Sequence, residues 1–147
     1  MDCKRALEAT GGNLDQAEKK LAEEGIARAE KKANRVTAQG LVDSYIHAGR
    51  IGALVEVNCE TDFVARTPEF QALVHEIAMQ VCAQSPQVVS PEELPADADG
   101  SLEQLALLEQ PYIRDPSKTI RQLINETIGK TGENIQVKRF MRFELGD

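Results

Sequence analysis

Two β-rich runs stand three residues apart near the middle of the chain, and they restrict the fold more than any other feature. The first is Leu41-Val42-Asp43-Ser44-Tyr45-Ile46-His47, the second Ile51-Gly52-Ala53-Leu54-Val55-Glu56-Val57. The connection Ala48-Gly49-Arg50 is short and contains glycine, which predicts an antiparallel hairpin. In the second run Ala53, Val55 and Val57 alternate with Leu54, Glu56 and Asn58. One face is apolar and the other partly wet, as in a sheet covered on one side. Residues 134–145 also alternate and predict a long third strand. Ile135, Val137, Arg139, Met141 and Phe143 fall on one side, and Gln136, Lys138, Phe140, Arg142 and Glu144 on the other.

Such a sheet needs helices to cover its apolar face. Thr67-Pro68-Glu69 predicts a helix start, with threonine as N-cap and proline in the first turn. Phe70, Leu73, Val74, Ile77, Ala78 and Val81 form its apolar stripe. Pro116-Ser117-Lys118-Thr119 predicts the start of a second helix bearing Ile120, Leu123, Ile124 and Ile128, ended by Gly129 to Gly132. Between the two, residues 87–90 suit a short strand, and the acidic, proline-containing residues 91–100 suit an exposed loop. Residues 102–108 are apolar without a decisive period. Before the hairpin, Gly11-Gly12 stops a first short helix and Asn13 caps a second, with Leu14, Ala17, Leu21 and Ala22 at helical spacing and Gly25 as its end. Residues 26–35 are alanine-rich and charged, a helical linker. The expected fold class is α+β. Residues 1–25 form a small helical module, 26–35 a linker, and 36–147 a core of about three antiparallel strands packed with amphipathic helices.

The formal charge of −7 argues against a nucleic-acid partner, because phosphate contacts need clustered Lys and Arg. The basic spots at residues 28–35 and 138–142 suit solvated faces. Cys3, Cys59 and Cys82 form no CxxC pair, the usage of a reducing compartment. No apolar run approaches the ~20 residues of a membrane helix, and the start of the chain lacks the apolar segment of a signal peptide. A soluble, cytoplasmic protein without a membrane partner is expected. Catalytic constellations are sparse. Cys59 and His75 could form a nucleophile pair, but a small strand cysteine and a helix-edge histidine explain both residues more simply. Asn58, Glu60 and Asp62 could offer oxygens to a cation, without the glycine and spacing of a calcium loop. No phosphate loop, HExxH or GxSxG occurs. Neither an enzyme nor a metal or other cofactor is expected.

One stretch stands apart: Asn58-Cys59-Glu60-Thr61-Asp62-Phe63-Val64-Ala65-Arg66. It sets Phe63, one of only four phenylalanines, beside a carboxylate in the connection between the second strand and the Thr67 helix. The ring could fold back onto its own core. It could equally reach into a partner, since loops carry function and aromatic anchors fill partner pockets. On the residues alone both remain open.

Four segments together resemble the elongation factor Ts family of bacteria and organelles. They are Met1-Asp2-Cys3-Lys4-Arg5-Ala6-Leu7, Gly49-Arg50-Ile51-Gly52, the run from Val55 through Asp62-Phe63-Val64-Ala65, and Ile77-Ala78-Met79-Gln80. Asn134-Ile135-Gln136-Val137-Lys138-Arg139-Phe140 is most similar to the short, single-core cyanobacterial and chloroplast form. The resemblance implies a guanine nucleotide exchange factor for the translational GTPase elongation factor Tu, acting without covalent chemistry. It implies that Asp62 and Phe63 insert between two helices of that GTPase and disturb its magnesium region, with Thr61 and Val64 setting the geometry. Arg50, Ile51 and Gly52 at the hairpin tip, Lys4 and Gln80 would be secondary contacts. The helical module would be UBA-like but incomplete, because the family's preceding helix is missing. The segment from Pro95 to Ser101 is shorter than the family's, and the closing helix after Leu145-Gly146 is absent, so the chain reads as truncated. A single core implies a two-fold homodimer, paired through the exposed apolar face of residues 135–145. The compartment would be the cytoplasm, or the stroma for an organellar form. The alternative is a non-catalytic adaptor whose core only dimerises.

Overall fold

The structure, a computed structural model, describes residues 2–147; Met1 of the first matching segment lies outside the described residues. Strands β1 (Gln39–His47) and β2 (Ile51–Cys59) form the expected hairpin, paired antiparallel from Gln39 opposite Cys59 to His47 opposite Ile51. Each is two residues longer than the hydrophobic pattern indicated. Ala48 and Gly49 at the tip both have positive φ, 53° and 66°, the primed turn whose twist suits a hairpin. At the far end Gly40 is obligatory, because a Cβ there would lie 2.2 Å from the Val57 carbonyl oxygen. Strand β5 (Ile135–Glu144) pairs antiparallel with β2 on its other side, giving the order β1-β2-β5.

Helices α4 (Pro68–Gln84) and α6 (Ile120–Thr131) cover the inner face. The Thr67 hydroxyl accepts from the Phe70 N–H and Pro68 sits in the first turn, as the sequence predicted. All six stripe residues of α4 are buried, against Ala53, Val55 and Val57 of β2. At roughly 1.5–3 kcal/mol per large side chain, this burial is the main stabilising contribution.

Four local expectations are corrected. Strand β5 does not alternate throughout: Glu56 faces Arg139 but Val57 faces Val137, which leaves Lys138 without a partner. This bulge changes the parity of the strand. Ile135 and Val137 point inward, then Phe140 and Arg142, while Met141 and Phe143 turn outward and are exposed. Second, Pro116 lies in strand β4 (Asp115–Thr119), paired with β3 (Pro111–Tyr112), and α6 starts only at Ile120. Its true start is a reciprocal Thr119/Gln122 capping box. Third, residues 87–90 form no strand; Val88 makes one isolated bridge to Ala106. The apolar stretch after the acidic loop becomes a single helical turn, α5 (Leu102–Leu105), followed by a short 3-10 turn.

Fourth, Gly25 does not end the second helix. After α1 (Asp2–Ala9), helix α2 runs unbroken from Leu14 to Lys32, through Gly25 and most of the expected linker. Strong helix formers flank the glycine, and the C-terminal half of α2 rests on α6, with Ala29 against the core. That packing outweighs the roughly 1 kcal/mol that glycine costs inside a helix. Of the described residues in α1 and α2, only Ala6 and Ala17 are buried.

Candidate functional site

The Asp62-Phe63 connection is a single helical turn, α3 (Asp62–Ala65), set between the end of β2 and the start of α4. Thr61, in extended conformation, is its N-cap and accepts from the Val64 N–H at 3.3 Å. Arg66 and Thr67 close it, through Arg66 N–H to the Asp62 and Phe63 carbonyls and the Thr67 hydroxyl to the Val64 carbonyl at 2.7 Å. The turn has one inner side. Val64 and Ala65 take it and are buried among the core residues. Successive residues of a helical turn diverge by about 100°, so burying those two sends Phe63 outward. Its ring is 77% exposed. The alternative left open on the residues alone, that Phe63 folds back, is not what the chain does. An exposed ring contributes little to its own fold, and burying it elsewhere would be worth roughly 1.5–3 kcal/mol.

Asp62 is half exposed and pairs with Arg66 at 3.2 Å. Glu60, mostly covered, pairs with Arg35 at 3.7 Å. Behind the turn stands Glu133, just after Gly132 ends α6. Its Oε1 accepts from the Glu60 and Thr61 N–H groups at 3.1 and 3.0 Å, and its Oε2 from the Thr61 hydroxyl at 2.6 Å. The next residue, buried Asn134, donates its side-chain amide to the Ala33 and Arg35 carbonyls at 3.4 and 2.9 Å. Sequence reasoning did not find Glu133, Asn134 or Arg35. Glu133 is more than seventy residues from the turn it holds, and no local pattern reports such a contact.

Cys59 is fully buried, and its Sγ donates to the Thr61 carbonyl at 3.1 Å. Burial first, and then the neighbouring Glu133 carboxylate, push its thiol above the ordinary cysteine range. A protonated, inaccessible sulfur is no nucleophile. His75 is engaged elsewhere: its Nδ1 lies 3.3 Å from Asp43 Oδ2, and Tyr45 meets its ring edge-on. The Cys59–His75 pairing has no support. Among the described residues no group of three or more His, Cys, Asp or Glu is placed to hold a metal ion. No helix of the described residues is long and apolar enough to cross a membrane.

The other expected contacts do not gather around Phe63. Arg50, Ile51 and Gly52 lie at the opposite end of β2, eight residues from Cys59, or roughly 25 Å along an extended strand. Lys4 is exposed on α1, 4.0 Å from Glu8. Gln80 is corrected outright. It is 0% exposed, and its amide donates to Gln110 and Pro111 and accepts from the Ile113 N–H. It clasps the segment before β4 onto α4 and offers no surface to a partner.

A family model described as elongation factor TS matches residues 13–99 and 98–147. The two matched stretches meet inside the short turn between Pro95 and Leu102. Elongation factor Ts of Coprothermobacter proteolyticus is 47% identical over 178 aligned positions, which take in all of this chain and 90% of that protein. The corresponding protein of Methylacidiphilum infernorum is 46% identical, with 88% of its length covered, and that of Thermoanaerobacter sp. 48%, with 87% covered. An alignment of 178 positions over a chain of 147 leaves at least 31 (178 less 147) without a residue of this chain opposite.

Proposed function

This chain belongs to the elongation factor Ts family, and from that premise we propose that it speeds release of guanine nucleotide from elongation factor Tu, with Phe63 as the inserted group. The observation that carries the reading is the outward Phe63 on a turn whose neighbours are fixed in the core. An exchange factor needs no covalent chemistry. It binds the nucleotide-free GTPase more tightly than the filled one, so that each ligand lowers the other's affinity reciprocally. Magnesium and its protein ligands hold the β-phosphate, and a ring driven between the elements that support them weakens that hold. Asp62 adds negative charge at the same place once Arg66 lets go of it. Thr61 and Val64 fix the presentation. Lys4 and the tip residues Arg50, Ile51 and Gly52 are secondary contacts in this reading, with α1 and the first half of α2 as a UBA-like docking module. Work on a translational GTPase puts the protein in the cytoplasm, or in the stroma of an organelle.

The test is release of a fluorescent GDP from elongation factor Tu at increasing concentrations of this chain, with Asp62→Ala and Phe63→Ala beside it. Acceleration that both variants blunt is expected. Binding without acceleration would favour the adaptor reading instead.

The reading includes a two-fold homodimer through the outer face of the sheet. It is supported by the exposed apolar side chains there, Val42, Ile46, Leu54, Met141 and Phe143, a patch of the kind that marks interaction surfaces. The bulge at Lys138 is what adds Met141 and Phe143 to it. Sedimentation equilibrium should show a dimer, and Phe143→Glu a monomer.

A further inference from the structure

We propose that Glu133 is a positioning residue for the exposed ring: it fixes the base of α3 so that Phe63 enters a partner at a set angle. The inference rests on the reading of Phe63 as the inserted group. A group that must displace part of another protein transmits force only if its own base does not give way. The backbone of α3 supplies one turn of helix, too short to be rigid alone. Val64 and Ala65 hold it by contact with the core, which fixes depth but not rotation about the β2 axis. Rotation is fixed by directional bonds. The three that Glu133 receives come from the consecutive N–H groups of Glu60 and Thr61 and from the Thr61 hydroxyl. Both carboxylate oxygens are engaged, and every side-chain bond goes to this one point. The Thr61 hydroxyl then relays the constraint, because it donates to Glu133 while accepting from the Val64 N–H. The chain from Glu133 to Thr61 to Val64 ends beside Phe63.

A bland alternative is that Glu133 merely stabilises the fold. The two roles separate by measurement. The chain contains no tryptophan, so Phe63→Trp installs a single fluorophore at the exposed position. Glu133→Ala in that background should lower the steady-state anisotropy of the indole, and Glu133→Gln, which keeps one acceptor for the two N–H groups, should restore most of it. This readout needs no partner. With Phe63 in place, Glu133→Ala should lower the maximal rate of GDP release by roughly ten- to hundredfold, the scale of a misplaced reacting group, with a smaller change in the half-saturating concentration. In a Phe63→Ala background the same substitution should cost almost nothing more, because two residues acting through one contact are not additive. If Glu133→Ala fails to fold, Thr61→Val, which removes only the relay hydroxyl, takes its place. Unchanged anisotropy overturns the proposal, and so does a loss of rate that persists at full size in the Phe63→Ala background. If Phe63→Ala itself leaves release unaffected, the reading of the exposed ring falls, whatever the anisotropy shows.

Discussion

The turn that carries Phe63 and the helix pair α1–α2 would both meet the same partner, yet they are built in opposite ways. The turn has four residues, of which Val64 and Ala65 are buried, and it is tied by Glu133 to the far end of the chain. The helix pair is several times longer and, before α2 reaches α6, buries among its described residues only Ala6 and Ala17. Those two methyl groups contribute on the order of 1–2 kcal/mol, and Leu7 and Leu21 add only partial burial. A part that must push needs bracing from behind. A part that must hold on needs only a matching surface and a tether.

This contrast can be broken most decisively at the ring itself. Phe63→Ala should slow GDP release roughly a hundredfold, about 2.7 kcal/mol in barrier, while the unfolding midpoint in urea stays put because the ring is already in water. A shift in midpoint would mean that the ring supports the fold after all. The converse experiment acts on the helix pair. Ala6→Asp puts a carboxylate at a 2%-exposed position, in a residue outside the main core cluster. The half-saturating concentration for exchange should rise about tenfold with the plateau rate kept, since only docking is affected. A lost plateau would show that the pair helps to drive the ring home. Thr61→Val is milder. It removes the cap of α3 and the bond to Glu133, and urea titration should register roughly 1–2 kcal/mol. Smaller still is Gly25→Ala, whose added methyl meets nothing within 4 Å. It should stabilise α2 by about 0.5–1 kcal/mol and leave exchange unchanged. The last effect is one of reactivity. With its thiol pushed up by burial, Cys59 has less thiolate than usual at pH 7–8. Cys3, exposed on α1, should therefore react with a thiol reagent at once, and buried Cys59 and Cys82 only on unfolding.

What could be read in the sequence follows the range of the forces involved. The hairpin turn, the Thr67 cap and the stripe of α4 are set by neighbours a few residues apart, and all three stand as expected. The start of α6 departs from the expectation because Pro116 signals a helix start less well than the capping box from Thr119 to Gln122. The bulge at Lys138 had a faint sign in the adjacent charges Lys138 and Arg139, which a strictly alternating strand does not place side by side. Gly25 does not end α2 because propensity is local, while the contact that keeps the helix intact is with α6. At the site, Asp62 and Phe63 stood out, but nothing in the composition said which way the ring points. That direction follows from burying Val64 and Ala65, and its brace from a residue 72 positions away in the chain.

Glu133 and Asn134 are consecutive, and they grip different things. One holds the base of the ring-bearing turn, the other the Ala33 and Arg35 carbonyls, where α2 leaves for the sheet. On the reading proposed above, their shared backbone would make the molecule a caliper, with the helix pair as one jaw and the phenylalanine as the other, and these bonds would help to set the gap. A caliper reads size as well as touching. A GTPase whose docking surface and nucleotide site were spaced differently could be grasped by one jaw and still never be opened by the other.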